Sequence, residues 1–443
     1  MYKKSKYTFE TIDKDGNMLV CNLLYKSKFK IEKNDEKTLN IYKNFNDYQY
    51  NELKSFLDMK VIVDEFLDED EELLKAKQIA YDERNKVLNI TIKPTIACNL
   101  SCIYCWQSET TGNMTWETMT KLLKFIDKKT ENDINRVVIS WFGGEPMLMY
   151  DNIIRFMAEL KKICSKRKIS YLGMMSTNGT LINAERLENL LKHHVYSFQI
   201  TLDGTKELHD KSRPCKAKGI SSFDTIMKNL IDIRDNVKYN TFHIIVRVNI
   251  TNEFYDHMSE FMEIYKKEFS KDNRFPLLLE DVTNKGGEKI KKNSQVLEHK
   301  FSRDYLVNEL MKDDIIQHNF MNYGHGTMAC NLIYDNSYNV NYDGMFYLCE
   351  LLSDKFNTKL SNNLGYLDDE GNLEIDHLNK LNFINSCDID CKNCKLYPIC
   401  LGALCPVNQA NTKTCHYINN LETIENSLKM LSKENKLLVI KVE

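Results

Sequence analysis

The chain has almost no net charge, because 60 lysines and arginines stand against 63 aspartates and glutamates, leaving −3 at pH 7. No global field therefore points to nucleic acid or to an anionic membrane as a partner. Long apolar runs are missing too: nothing approaches the ~20 consecutive apolar residues that span a bilayer. The opening MYKKSKYTFETIDKDG is charged where a signal peptide has its apolar core. Internal repeats of solenoid type are absent. These absences predict a cytoplasmic protein with no membrane partner and no nucleic-acid partner. Its 443 residues suffice for two or three domains with a sizeable core.

Nor are the cysteines evenly scattered. Of the 14 in the chain, only Cys21, Cys164 and Cys215 stand alone, while three fall within 98–105 and eight within 330–415. In a large chain without an export signal, such clusters point to metal sites and away from a disulfide framework. Cys21 and Cys164 read as core residues on a strand and a helix, and Cys215 as an exposed thiol in a polar loop.

Residues 1–87 read as a first unit. Phe9–Ile12 and Met18–Leu24 flank the turn signal Asp13-Lys14-Asp15-Gly16 and predict a hairpin. A helical stretch follows near Tyr48–Leu57, then a short strand, Val61–Val63, and the acidic run DEFLDEDEE, which suits a helix start or a linker. From Leu88 the pattern alternates. Strands are predicted at Leu88–Ile92, Val137–Phe142, Ile169–Met175, Phe198–Leu202, Phe242–Val248 and Pro276–Leu279. Helices are predicted at Trp116–Lys128, Asn152–Arg167, Ala184–Lys192, Phe223–Arg234 and Tyr255–Glu268. The fold class is therefore α/β, with a parallel sheet too short to close an eight-stranded barrel: a (β/α)6 partial barrel over 88–280. Residues 281–310 read as a linker. Residues 311–443 form a cysteine-rich domain with a helix from about Ile418 to Leu431.

Cys98, Cys102 and Cys105 spell C-x3-C-x2-C directly after the first of these strands, with Tyr104 before the last cysteine. Three thiolates on one short loop can hold three corners of a cubic iron–sulfur cluster and leave one iron open to a small molecule. A zinc loop is the alternative, but zinc sites usually carry two such pairs and the second is missing locally. Later strands end in Gly143-Gly144-Glu145-Pro146, in Ser176-Thr177-Asn178-Gly179, in Asp203-Gly204 followed by His209, Asp210 and Arg213, and in Arg247 with Asn249. Barrel active sites are built at these strand ends. Paired glycines let backbone approach a ligand, Glu145 can hold an ammonium, and Arg213 can pair with a carboxylate.

The combination, over residues 88 to 415, resembles the radical S-adenosylmethionine (SAM) enzymes. The resemblance implies a [4Fe-4S] cluster on Cys98, Cys102 and Cys105 with SAM at its open iron. Tyr104, Gly143, Gly144, Glu145, Ser176, Asn178, Asp203, Arg213 and Arg247 are then the candidate SAM contacts. It also implies reductive cleavage of SAM to methionine and a 5′-deoxyadenosyl radical that removes a hydrogen atom from the substrate. The second cysteine group is Cys330-x13-Gly344-x4-Cys349, then Cys391-x2-Cys394-x5-Cys400-x4-Cys405-x9-Cys415. It is similar to the SPASM extension, which carries two auxiliary [4Fe-4S] clusters and would bring the total to three.

On that pattern Cys391, Cys394, Cys400 and Cys415 ligate one auxiliary cluster. Cys330, Cys349 and Cys405 hold the other, whose fourth position is open or taken by Cys387. The chain departs from the family where four residues, not three, separate Cys400 from Cys405. Cys387, Cys391 and Cys394 repeat the C-x3-C-x2-C spacing, but no strand precedes them and no Gly-Gly-Glu turn follows, so they are rejected as the SAM site. A zinc ribbon is the alternative for this domain, although eight cysteines exceed one zinc site. Glu350, next to Cys349, is the candidate catalytic proton acceptor.

Residues 1–87 look like the small peptide-recognition (RRE-like) domain of enzymes that mature ribosomally made peptides, where a strand edge can pair with an extended leader. The expected function is hydrogen abstraction from a precursor peptide bearing a leader, followed by an intramolecular cross-link, a thioether if cysteine is the acceptor. A low-potential electron donor of flavodoxin or ferredoxin type is the second expected partner. One alternative is a sulfatase-maturase-like oxidation of Cys or Ser to formylglycine, against which the segment ahead of the barrel counts. The other is a non-catalytic zinc or electron-transfer protein.

Overall fold

The computed structural model describes residues 1–105, 107, 111–282, 330–331, 334–347, 349, 363–373, 391, 394–401, 420–433 and 435–442. Contacts divide the chain into two compact units. One holds Met1–Arg84, Asn319–Ile333 and Ile384–Glu443; the other holds Asn85–His318 and Tyr334–Phe383.

The second unit is the barrel. Its strands are β1 (Val87–Thr95), β2 (Arg136–Gly143), β3 (Ser170–Thr177), β4 (Val195–Thr201), β5 (His243–Ile250) and β6 (Leu277–Asp281). Between them run α1 (Trp116–Lys129), α2 (Tyr150–Arg167), α3 (Ala184–Lys192), α4 (Lys206–Ser212), α5 (Ser222–Asn236), α6 (Asn252–Asp256) and α7 (Met258–Glu268). Neighbouring strands β1 to β6 pair in parallel throughout. The expected partial barrel is thus present.

Helix starts are local. Thr115, Asn183, Ser221 and Thr251 each accept, through the side chain, the backbone N–H three residues on, which satisfies a donor the helix itself leaves open. The helix expected over Tyr255–Glu268 is interrupted at His257, giving α6 and α7.

Register places the side chains. Trp141, Met175 and Phe198 form one row. They are buried, and Trp141 meets Phe156 of α2 edge-on at 5.3 Å. Side chains alternate across a sheet, so the intervening rows lie on the face away from the helices. Those rows are Ser140–Met174–Ser197, Ser176–Gln199–Ile245, Thr201–Arg247–Leu278 and Asn249–Glu280. The polar side chains of the sheet collect there.

Beyond β1 the sheet continues through β7 (Ser337–Val340), β8 (Met345–Tyr347) and β9 (Asn363–Tyr366). β7 joins β1 in parallel, and the others follow antiparallel. This segment was expected in a separate C-terminal domain. Its pairing with β1 instead satisfies the backbone groups of what would be an edge strand.

In the other unit, Thr8–Ile12, Met18–Asn22 and Ser27–Ile31 form an antiparallel meander, one strand more than the expected hairpin. Asp13 shapes the first turn by accepting the backbone N–H groups of Asp15 and Asn17. Helices Glu36–Lys43 and Tyr50–Asp58 cover one face, where Phe29, Ile41, Tyr42, Leu53 and Phe56 share a core. The acidic run enters helix Glu69–Asn85.

On the other face, Ile424, Leu428 and Leu431 of helix Asn420–Lys433 pack with Leu19, Cys21 and Leu23, and Leu438–Val439 pairs with Ser27–Ile31. The N-terminal residues therefore share one core with Leu396, Ile399 and the C-terminal helix, where the sequence suggested two domains. Among the described residues no helix is long and apolar enough to cross a membrane.

Candidate metal and cofactor site

β1 hands the chain to a loop carrying Cys98, Cys102 and Cys105, and two neighbours clamp that loop. On one side lies the segment after α4. Ser101 N–H donates to Pro214 O, Ile103 N–H to Ser212 O, and Lys216 N–H to Asn99 O, each at 2.9 Å. Leu100 and Cys215 are antiparallel partners. In the same register Cys102 lies opposite Arg213, at a position that does not exchange backbone hydrogen bonds. Such pairs are the closer kind, with Cα atoms ~4.5 Å apart and side chains adjacent. Cys215, expected as an exposed thiol, is half-buried in this clasp.

On the other side is the Gly143-Gly144-Glu145 turn. Gly144 N–H donates to Thr95 O at 3.0 Å and Glu145 N–H to Ala97 O at 2.8 Å. A Cβ on Gly143 would sit 2.4 Å from Thr95 O, and one on Gly144 2.2 Å from Ala97 O; Gly143 also has φ +121. The glycines were expected to bring backbone close to a ligand. Their demonstrated need is closer at hand: the turn packs on the cysteine loop itself, and any side chain would push it off.

Glu145 is buried and accepts three hydrogen bonds, from Met147 N at 2.9 Å, Thr177 Oγ1 at 2.7 Å and Asn178 N at 2.6 Å. Burial pushes its carboxyl above the usual range, with those donors opposing. The role expected for it, holding a ligand ammonium, would draw on the same two oxygens. An ionised carboxylate offers about four acceptor positions, and two of the three in use tie the end of β3 to the end of β2.

Asn178 then faces the cysteines. Its Nδ2 donates to Asn99 Oδ1 at 2.7 Å and reaches Cys98 Sγ at 3.7 Å, while Leu100 N–H points at the same sulfur from 3.4 Å.

Tyr104 is the hub of a buried network. Its hydroxyl donates to Asp203 Oδ2. It accepts from Arg213 Nη1 at 2.7 Å and from Asn249 Nδ2 at 3.1 Å. Asp203 Oδ1 takes the Asn249 backbone N–H at 2.7 Å, and Arg213 stands 3.9 Å from Asp203 Oδ2. Asp203 is 4% exposed, Arg213 5% and His209 0%.

Burial pushes the Asp203 carboxyl up, against the pull of Arg213. Burial alone would lower Arg213, but the acidic groups around it, Cys102 first and then Tyr104 and Asp203, hold it well above its usual value. His209 accepts the Asp203 backbone N–H on Nδ1 at 3.0 Å. Burial, helped by the Arg213 charge, brings its pKa down to about 3, so the ring is neutral with its proton on Nε2. Arg213 was expected to pair with a ligand carboxylate. The structure turns Nη1 and the charge toward Tyr104 and Asp203, beneath the cysteine loop.

Arg247 stands apart on the polar face of the sheet, half-buried, its Nε bonded to Asn249 Oδ1 at 2.9 Å. With Ser176, Gln199 and Thr201 it is the polar group a cofactor or substrate on that face would meet. A hollow lined by Ile103, Tyr104, Leu208, Asn249, Thr251 and Phe254 opens beside the Tyr104 network, and the Lys211–Glu253 ion pair, 2.6 Å, stands at its rim.

The donor set fits an iron–sulfur cluster. Three thiols sit on one clasped loop, with N–H groups aimed at Cys98. Burial pushes the Cys102 thiol up to about 12, Arg213 opposing, which is the penalty that metal ligation removes.

Of the second cysteine group, Cys387, Cys405, Cys415 and Glu350 lie outside the described residues. Cys330, Cys391, Cys394 and Cys400 belong to the unit with the meander, and Cys349 to the barrel unit. Cys394 N–H donates to Cys391 O at 3.1 Å, and Cys400 ends a one-turn helix, Tyr397–Cys400. Cys394 and the neighbouring Leu396 and Ile399 lie against Leu19 and Cys21.

Asn99 and the clasp left no mark in the sequence, and Thr177 stood there only as part of a strand-end motif. Tyr104 and Arg213 are 109 residues apart, and no local signal joins them.

Residues 92–263 match the model described as the Radical SAM superfamily. Over 348 residues the chain is 27% identical to the cysteine-type anaerobic sulfatase-maturating enzyme of Clostridium novyi (strain NT), covering 71% of this chain and 87% of that protein. Over 174 residues it is 29% identical to the serine-type enzyme of Klebsiella aerogenes, covering 35% of this chain and 40% of that one. Among solved structures, native anSMEcpe with bound AdoMet matches with a TM-score of 0.60 at 18% identity, over 79% of this chain and 99% of that chain.

Proposed function

We propose that this chain, an enzyme whose residues 92–263 are a radical SAM domain, modifies a ribosomally made peptide by abstracting hydrogen and closing an intramolecular cross-link, a thioether where cysteine supplies the sulfur. One observation carries this reading. The chain folds a separate three-stranded meander ahead of the barrel, with Thr8–Ile12 at the edge of the described sheet. An edge strand can be extended by a peptide strand, such as a leader.

Cys98, Cys102 and Cys105 would hold the cluster, and the polar residues Ser176, Gln199, Thr201 and Arg247 of two neighbouring rows offer contacts for SAM. When bound, the two supply one-electron reduction and a hydrogen-abstracting radical. The residues of the chain hold and shield that chemistry. Asn178 and Leu100 donate toward Cys98, Glu145 fixes Asn178, and the Tyr104 network seals the loop from below. A one-electron donor of flavodoxin or ferredoxin type is required. Cys330, Cys349, Cys387, Cys391, Cys394, Cys400, Cys405 and Cys415 are proposed to hold auxiliary clusters that accept the second electron, with Glu350 as proton acceptor.

A second reading is supported by the relatives: oxidation of a Cys or Ser in a sulfatase-type partner. It rests on the 27% identity to a cysteine-type sulfatase-maturating enzyme and on the fold shared with anSMEcpe.

Anaerobic co-expression separates the two. One probe is a short cysteine-rich peptide encoded beside this chain, and the other a sulfatase-type cysteine peptide, each weighed intact before and after thiol alkylation. Loss of two hydrogens with fewer alkylatable thiols supports the thioether. Replacement of the thiol by an aldehyde in the sulfatase-type peptide supports the second reading. Unchanged masses with intact clusters remove both.

A further inference from the structure

We propose that Arg213 and Asp203 are positioning residues of opposite charge that set the reduction potential of the cluster held by Cys98, Cys102 and Cys105. The inference rests on the reading that these three cysteines carry an iron–sulfur cluster.

Bonds pairing 99 with 216, 101 with 214 and 103 with 212 leave 102 opposite 213, the closer kind of antiparallel pair. The Arg213 side chain is 5% exposed, so water does little to screen its charge from whatever Cys102 ligates. Its Nη1 is committed to the Tyr104 hydroxyl at 2.7 Å. Its Nε is buried with no hydrogen-bond partner among the described residues. A buried, unsatisfied N–H next to a thiolate position is costly unless something there accepts it, and a cluster sulfur or thiolate is such an acceptor.

Asp203 supplies the counter-charge. It is 4% exposed, 3.9 Å from Arg213, and joined to the loop through Tyr104. Hydrogen bonds, net charge and exposure are the levers a protein has on cluster potential. Reduction adds one negative charge to the cluster. Arg213 favours the reduced form and Asp203 disfavours it, while Tyr104 and Asn249 hold both at fixed distance.

The test is a redox titration of the full, anaerobically loaded chain. It follows the reduced-cluster EPR signal that responds to added SAM, which separates this cluster from auxiliary ones. Iron content is measured alongside. Arg213→Met should lower the potential and Asp203→Asn, nearly isosteric, should raise it. Each should change the reduced-to-oxidised ratio at a fixed poise by about tenfold, which is ~59 mV for one electron. Arg213→Lys should restore most of the unaltered value.

A merely structural network would not move the two charge variants in opposite directions. Equal or same-sign shifts in loaded protein overturn the inference. Should Arg213→Met fail to hold iron, Asp203→Asn decides alone, and an unchanged potential sinks the proposal. An unaltered chain that binds iron but shows no SAM-sensitive signal would overturn the proposed function and this inference with it.

Discussion

Glu145 takes the backbone N–H of Asn178 at 2.6 Å inside the barrel, fastening the end of the second parallel strand to the end of the third. The same carboxylate holds Thr177 Oγ1 at 2.7 Å. Asn178, thus fixed, presents its amide to Asn99 and Cys98. The carboxylate thereby fixes the amide that faces the cysteine loop.

Glu145→Gln tests that role. The amide keeps the size but turns a donor toward a group of donors, and hydrogen bonds to a charged partner are each worth ~1.5–3 kcal/mol. The variant should lose about 2–4 kcal/mol, read as a lower urea midpoint with an unchanged slope. An unshifted midpoint would mean that the carboxylate is dispensable to the fold.

The glycine turn gives a sharper contrast. A Cβ on Gly144 would sit 2.2 Å from Ala97 O, a backbone atom that cannot rotate away. At Gly173 the nearest atoms are Val195 Cγ2 at 2.8 Å and Met157 Cε at 3.2 Å, both side-chain atoms. Gly144→Ala should therefore displace the cysteine loop and reduce bound iron severalfold after anaerobic loading. Gly173→Ala should keep its iron and lose ~1–3 kcal/mol to overpacking. Equal iron in the two variants would count against the packing argument.

Acid should weaken the fold through His209. The ring titrates near 6.5 when unfolded and at about 3 when folded. Between those values the unfolded chain binds a proton that the folded chain does not, so stability falls as pH drops below 6.5 and is fully present above it. One such group contributes a slope of up to ~1.4 kcal/mol per pH unit. Urea midpoints measured from pH 7 to pH 4 should fall less steeply in His209→Gln, which keeps an acceptor for the Asp203 N–H. Parallel curves for the two proteins would show that His209 takes up a proton in the folded state.

Cysteine replacement should separate metal ligands from core. Cys102→Ser is expected to lose the SAM-sensitive cluster signal. Cys164, buried on α2 with its thiol pushed up to about 12 by desolvation alone, should tolerate Ala with full iron content and a cost of ~1 kcal/mol for the lost packing. Iron analysis and EPR on both variants check the pair, and loss of iron from Cys164→Ala would contradict the assignment.

The linear chain determined what depends on short spacing. The cysteine loop follows its strand, β1 to β6 alternate with helices, and the polar motifs fall at strand ends. Helix Ala184–Lys192 matches its predicted bounds. Periodicity acts over a few residues, so a few residues suffice to read it.

Only the tertiary structure decided the rest. It paired Ser337–Val340 with β1, folded the helix Asn420–Lys433 onto the N-terminal meander, and set Arg213 across from Cys102. It also gave the Glu145 and Asp203 carboxylates their partners within the chain. Those outcomes depend on which buried charges and edge strands meet after the chain has closed over long loops. Desolvation forces each buried polar group to find a partner, and the partner is chosen by position in space, where spacing along the chain carries no information.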